Sequence, residues 1–117
     1  MGVGMSFSAK LELNEAQETE LEAMTLRHEQ ATSFQFQLQE CCGESLSYDL
    51  FEGEFSGYIK YPLSHDPSDW SDFEGIVLAW LSEVRRTFGG DDWQVYRQDV
   101  EPVAWIEASQ SYYHDPL

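Results

Sequence analysis

Carboxylates dominate the chemistry available to this sequence. Asp and Glu number 22 against 6 Lys and Arg in 117 residues, for a formal net charge of −16. Seventeen of the 22 fall in four runs. The first is Glu15, Glu18, Glu22 and Glu29; the second is Glu40, Glu44, Asp49, Glu52 and Glu54; the third is Asp66, Asp69, Asp72 and Glu74; the fourth is Asp91, Asp92, Asp99 and Glu101. Clustered carboxylates can hold hard cations, act as acid and base, or face a basic macromolecule. The third run is the tightest, but it lacks the glycine and the spacing of an EF-hand loop. Capping explains it better, since Asp and Ser cap helices and acids at a helix start suit the dipole. No metal or cofactor is expected.

Other reactive side chains do not converge. His28, His65 and His114 are scattered, and Cys41 and Cys42 are adjacent. Neighbouring cysteines rarely close an unstrained disulfide, and there is no second pair for a framework. A reducing cytoplasm is therefore the expected location. Cys41 and His65 could pair as thiolate and imidazolium, yet nothing in their spacing suggests it. The chain has no glycine-rich phosphate loop, no nucleophile elbow, no Cys-x-x-Cys and no His-Glu-x-x-His. A non-enzymatic role is expected.

The charge narrows the partners. Direct binding to DNA, RNA or an anionic membrane is disfavoured. A basic protein, such as a nucleic-acid-binding protein or a basic nuclease, is favoured; acidity for solubility alone is the competing explanation. The longest apolar run, Ile76 to Leu81, is too short to cross a bilayer, and no basic-then-apolar leader precedes it. Met1-Gly2-Val3-Gly4-Met5-Ser6 fits the N-myristoylation pattern loosely, but no polybasic patch accompanies it.

The 42% hydrophobic and 15% aromatic content argue for one folded domain over residues 1–117 despite the charge. Residues 1 to 5 read as a tail. Phe7, Ala9, Leu11 and Leu13 alternate with polar residues and predict a strand. Asn14 caps a helix to about Ala31, with Leu21, Met24, His28 and Ala31 inward. Glu15, Glu18, Glu22 and Glu29 lie in a narrow arc on another side, a stripe about 21 Å long with no cation in it. Phe34, Phe36 and Leu38 alternate with glutamines and predict a strand over 33–40, followed by a turn at Cys41-Cys42-Gly43-Glu44. Leu46, Tyr48 and Leu50 predict the next strand, and Glu52-Gly53 a tight turn into Phe55 to Tyr61, completing a three-strand meander.

Phe73, Ile76, Val77, Trp80, Leu81, Val84 and Phe88 form one apolar stripe at helical spacing. Ser71-Asp72-Phe73-Glu74 has the form of a capping box, so the helix is expected from about 72 to 88, stopped by Gly89-Gly90. A strand from Trp93 to about Val100 follows. Pro102 breaks it, and 103–108 form an edge strand. The fold class is α+β: an antiparallel sheet of about four to six strands with two helices, 14–31 and 72–88, packed on one face.

In length, charge and α+β make-up the chain resembles the small acidic DNA-mimic proteins of bacteria and phages. The four acidic runs above carry that resemblance, which is compositional. One kind of these proteins binds the histone-like protein HU; others block restriction enzymes, repressors or CRISPR effectors. The resemblance implies a DNA mimic that occupies the nucleic-acid site of a basic DNA-binding protein, with Glu15, Glu18, Glu22, Glu29, Asp49, Glu52, Glu54, Asp66, Asp69, Asp72, Glu74, Asp91 and Asp92 facing it. An immunity protein for a basic nuclease uses the same electrostatics with aromatic anchors, here Tyr58, Tyr61 or Trp70. Both readings stand at this point.

Overall fold

A computed structural model describes residues 4–30, 46–61, 67–98 and 100–114, without the side chains of Pro67 and Asp69. Among the described residues nine elements follow in chain order: β1 (Gly4–Lys10), α1 (Glu15–Glu29), β2 (Asp49–Phe51), β3 (Glu54–Lys60), α2 (Pro67–Phe88), β4 (Asp91–Arg97), β5 (Glu101–Pro102), β6 (Trp105–Ile106) and β7 (Ser111–Tyr112). The first five strands form one antiparallel sheet in the order β2-β3-β1-β4-β5, and β6 pairs with β7 in a separate hairpin. The α+β class with two helices and an antiparallel sheet is as the sequence predicts.

Alternation builds the inner face. Met5, Phe7 and Ala9 of β1, Phe55 and Ile59 of β3, and Val95 of β4 are all buried. Each strand puts every second residue on one side, so this set faces the helices as a layer. Phe7, Phe55 and Trp80 meet at centroid distances of 5.3 to 6.0 Å, tilted or edge-on, the geometries aromatic quadrupoles favour. Trp80 is fully buried, and its Nε1–H donates to Thr25 Oγ1 at 3.0 Å, which ties α2 to α1. Gly57 leaves room for this packing: a Cβ there would overlap the Phe7 ring and come within 2.7 Å of the Ser47 carbonyl oxygen.

α1 starts as the sequence predicts. Asn14 accepts from the Gln17 backbone at 2.8 Å, while the Gln17 side chain accepts from the Asn14 backbone at 3.0 Å, a complete capping box. α2 differs. It begins at Pro67, whose fixed φ suits a first helical turn, and not at the expected Ser71–Glu74 box. Glu74 is buried within the helix and serves another purpose, described below. Of the apolar stripe, Phe73, Val77, Trp80, Leu81 and Val84 are buried, Ile76 and Phe88 lie at its half-buried margins, and Leu78 joins the core as well.

Four further expectations are corrected. Met5 is a fully buried residue paired with Ile59 and not part of a tail. The strand after Leu46 is only Asp49–Phe51, with Leu46 and Tyr48 packing ahead of it. Pro102 does not end the sheet but pairs with Tyr96 in the edge strand β5, where a missing N–H is tolerated. The segment 103–108 is no edge strand of the main sheet; Trp105–Ile106 belongs to the β6–β7 hairpin, whose Tyr112 is buried against α2. The predicted strand 33–40, the turn at Cys41–Glu44 and Asp66 lie outside the described residues.

Candidate acidic interface

The antiparallel register decides which carboxylates meet. Lys10 of β1 lies opposite Glu54 of β3 on one side and Asp91 of β4 on the other. Glu54, Asp91 and the neighbouring Asp92 therefore share one end of the sheet, with strands about 4.8 Å apart. The β2–β3 turn is at the same end, because the Leu11 N–H donates to the Gly53 carbonyl at 2.8 Å. α1 begins four residues after Leu11, so its first turns are placed there too. Glu18 of α1 and Glu52 of the turn line one open depression of about 580 Å³ together with Glu12, over Leu11, Leu13 and Leu50. Three runs that are distant in sequence thus converge.

The α1 stripe extends the patch. Glu15, Glu18 and Glu22 are exposed, while buried Leu21, Met24 and Thr25 hold the helix from the adjoining face. Burial raises the Tyr48 phenol above its ordinary value, and the negative charges of Glu22, Glu18 and Glu29 push in the same direction. The end of the stripe meets the segment that leads into β2, where the Leu46 backbone bonds Glu29. Glu15 and Glu18 gain from the helix dipole in the first turn, but Glu22 is beyond its reach. Glu29 is half-buried; desolvation raises its carboxyl, against a backbone hydrogen bond from Leu46.

The turn carries backbone strain. Glu52 has φ 51° and Gly53 φ 77°, the left-handed pair of a two-residue hairpin turn. Asn or Asp normally precedes glycine in such a turn, and a side chain like glutamate costs about 1 kcal/mol in that conformation. Asp92, at φ 54°, repeats the pattern where the β1–β4 register shifts between Ser8 and Lys10.

One cation, Lys10, reaches this end of the sheet, and the arginines are engaged elsewhere. Lys10 reaches Asp92 at 3.1 Å, but both side chains are largely exposed, so the pair is weak. Arg27 and His28 bind Glu83 across the α1–α2 contact at 3.1 and 2.7 Å. Burial acts to raise the Glu83 carboxyl, but the hydrogen bonds from His28 and Arg27 outweigh it and hold it below the ordinary value. Arg85 stacks over Trp105 at 4.2 Å, and Arg86 donates to the Gln110 carbonyl at 2.9 Å. Among the described residues, no ion pair involves Glu12, Glu15, Glu18, Glu22, Glu52, Glu54 or Asp91.

Two candidate residues belong to a different environment. Glu74 is 7% exposed, accepts from the Tyr61 hydroxyl and lies 3.5 Å from Arg97. It is a structural carboxylate and not a free surface charge, which corrects its expected place in the interface. Tyr61 is buried in the same cluster, stacked on Trp70 at 4.6 Å, so it is no surface anchor either. Burial pushes its phenol far up, and the bond to Glu74 adds to that. This cluster uses the end of β3 and the end of β4, and so lies at the opposite end of the sheet from Glu54 and Asp91. Asp72 is exposed on α2, two residues from Glu74. Asp49 is exposed on β2 and lines a second depression with Glu54. Asp69 falls in the first turn of α2, and nothing further is described of its side chain.

Sequence reading missed Glu12 and Phe51. Glu12 looks like one polar position in an alternating strand; only the register, which brings Gly53 against it, reveals its place. Phe51 reads as core by type, yet it is 72% exposed. Among the described residues, no three of His, Cys, Asp and Glu converge into a metal-binding set. No family model matches the chain, and no similarity to a curated protein or a solved structure was found.

Proposed function

We propose that the chain is a non-enzymatic acidic binding protein, a DNA mimic that occupies the nucleic-acid-binding site of a basic protein such as histone-like HU. One observation supports this reading above the others: α1, the β2–β3 turn and the start of β4 bring Glu18, Glu52, Glu54 and Asp91 to one end of the sheet with no ion pair among the described residues. A surface selected for stability mixes its charges, because like charges repel and cost a few tenths of a kcal/mol per close pair. Here the repulsion is kept on a capped helix and a two-residue hairpin turn. Duplex DNA carries about one charge per 1.7 Å of axis, and a stiff carboxylate surface can replace it in a groove built for phosphates, releasing the partner's counterions.

Displacement is the test. A labelled duplex bound to HU is titrated with this protein, and release of the duplex is followed by fluorescence anisotropy. Release that weakens steeply with added salt is the expected result. A duplex that stays bound at every concentration, together with inhibition of a basic nuclease assayed in parallel, would replace mimicry of DNA on HU by the immunity-protein reading.

A further inference from the structure

The described surface also contains an apolar side chain that the fold leaves outside. Phe7, Phe55 and Phe73 are buried, whereas Phe51 is 72% exposed. A lone exposed apolar residue is ordinary and needs no explanation. The surroundings of Phe51 set it apart. It projects from β2 opposite Glu54, next to the left-handed Glu52. A depression of about 520 Å³ runs beside it, lined by Asp49, Glu54 and Ser56 as well as the Phe51 side chain. Leu50 also lines the larger depression that holds Glu12, Glu18 and Glu52, so the two hollows flank β2 on either side.

We propose that Phe51 and the two acidic hollows beside it form the docking surface for a basic polypeptide, with Phe51 as the apolar anchor and the hollows as seats for arginine or lysine side chains. This rests on the reading of the chain as an acidic binding protein and names the face it uses. Long basic side chains match both halves of each hollow. Their methylene stems lie on Leu11, Leu13 or Leu50, and their charged heads reach the carboxylates at the rim. A guanidinium can also stack on the phenyl ring. An aromatic anchor ringed by polar groups is the usual form of a binding hot spot. The hollows are open and hundreds of cubic ångströms in volume, far larger than a bare ion needs. Phosphates and anionic lipid would be repelled by the same carboxylates.

The probe is a deca-arginine peptide, titrated into the intact protein at several salt concentrations. Wild type should bind with an affinity that falls as salt rises. Phe51→Ala should bind about tenfold more weakly with an unchanged salt slope, because it removes contact area and no charge. Glu18→Gln combined with Glu52→Gln should weaken binding and flatten the slope. Glu107→Gln, exposed between β6 and β7, should match wild type. Amide shifts of the wild type in NMR, read without any variant, should cluster on residues 11–13, 18 and 49–56. Binding that is the same in Phe51→Ala, or shifts centred on another face, overturns this docking surface and leaves the acidic-binder reading intact. No binding by wild type at low salt overturns both.

Discussion

The two ends of the five-stranded sheet treat carboxylates in opposite ways. At the end formed by Tyr61 and Arg97, Glu74 is buried and fully engaged by a hydroxyl and a guanidinium. At the end formed by Lys10, Gly53 and Asp91, exposed carboxylates gather around an open hollow with one weak ion pair between Lys10 and Asp92. The same residue type holds the fold together in one place and opposes it in the other. Composition alone cannot separate these two uses; burial and partners do. A carboxylate that costs stability and has no structural partner is the one whose presence calls for another explanation.

Substitutions should expose that asymmetry, most strongly at the buried end. Glu74→Ala leaves the buried Tyr61 hydroxyl without its acceptor and Arg97 with only the exposed Glu101, and should lower stability by about 2 kcal/mol in urea unfolding. Glu18→Gln, Glu22→Gln and Glu54→Gln should each stay within about 0.5 kcal/mol of wild type, with any drift toward higher stability. A comparable loss at both ends would erase the distinction.

The α1–α2 clamp gives an intermediate effect that depends on pH. The Glu83 carboxyl is held below its ordinary value of 4.5 by His28 and Arg27, against the opposing effect of burial. A lowered carboxylate contributes stability above the unfolded-state value, and the contribution disappears as pH falls through the lowered folded-state value. The stability difference between wild type and Glu83→Gln should therefore be about 1 kcal/mol at pH 7 and vanish as pH falls through the lowered carboxyl value. Comparing the two proteins cancels the general relief of self-repulsion that acid brings to so anionic a chain. A difference that grows toward low pH would reverse the assignment.

Glu52 sharpens the comparison from the exposed end. Glu52→Asn places the preferred residue ahead of Gly53 and should raise stability by about 0.5–1 kcal/mol while weakening binding to a basic partner. Stability gained at the expense of binding is what a residue retained for function predicts. The smallest effect belongs to Asp92→Asn, which removes the exposed pair with Lys10 and should change the urea midpoint by no more than about 0.5 kcal/mol in free energy.

Much of the fold was legible before any coordinates. The alternation of Phe7 and Ala9, the Asn14 cap and the spacing of Phe73, Val77, Trp80 and Val84 each obey a local rule, and local rules survive into the structure. The start of α2 did not. A Ser-x-x-Glu pattern matches a capping box, but Glu74 is worth more bonded to Tyr61 and Arg97, a contact across 13 residues that no local window contains. Pro102 misled for a related reason, since its effect on a strand depends on whether that strand is at an edge. The four acidic runs were visible as runs. Which of them meet was not, because it depends on the pairing of Lys10 with Glu54 and Asp91. Alternation with Leu46, Tyr48 and Leu50 already puts Phe51 on the outer side, but the carboxylates around it depend on the pairing with Glu54.

The most direct test of the account is the slope of log affinity against log salt for HU and other basic nucleic-acid-binding proteins, measured with wild type and with a Glu18→Gln, Glu52→Gln, Glu54→Gln triple variant, each with duplex DNA as competitor. The account predicts a steep negative slope for wild type, loss of binding when duplex is added, and a flatter slope for a triple variant that is still folded. Binding indifferent to both salt and duplex, or a triple variant indistinguishable from wild type, would contradict it.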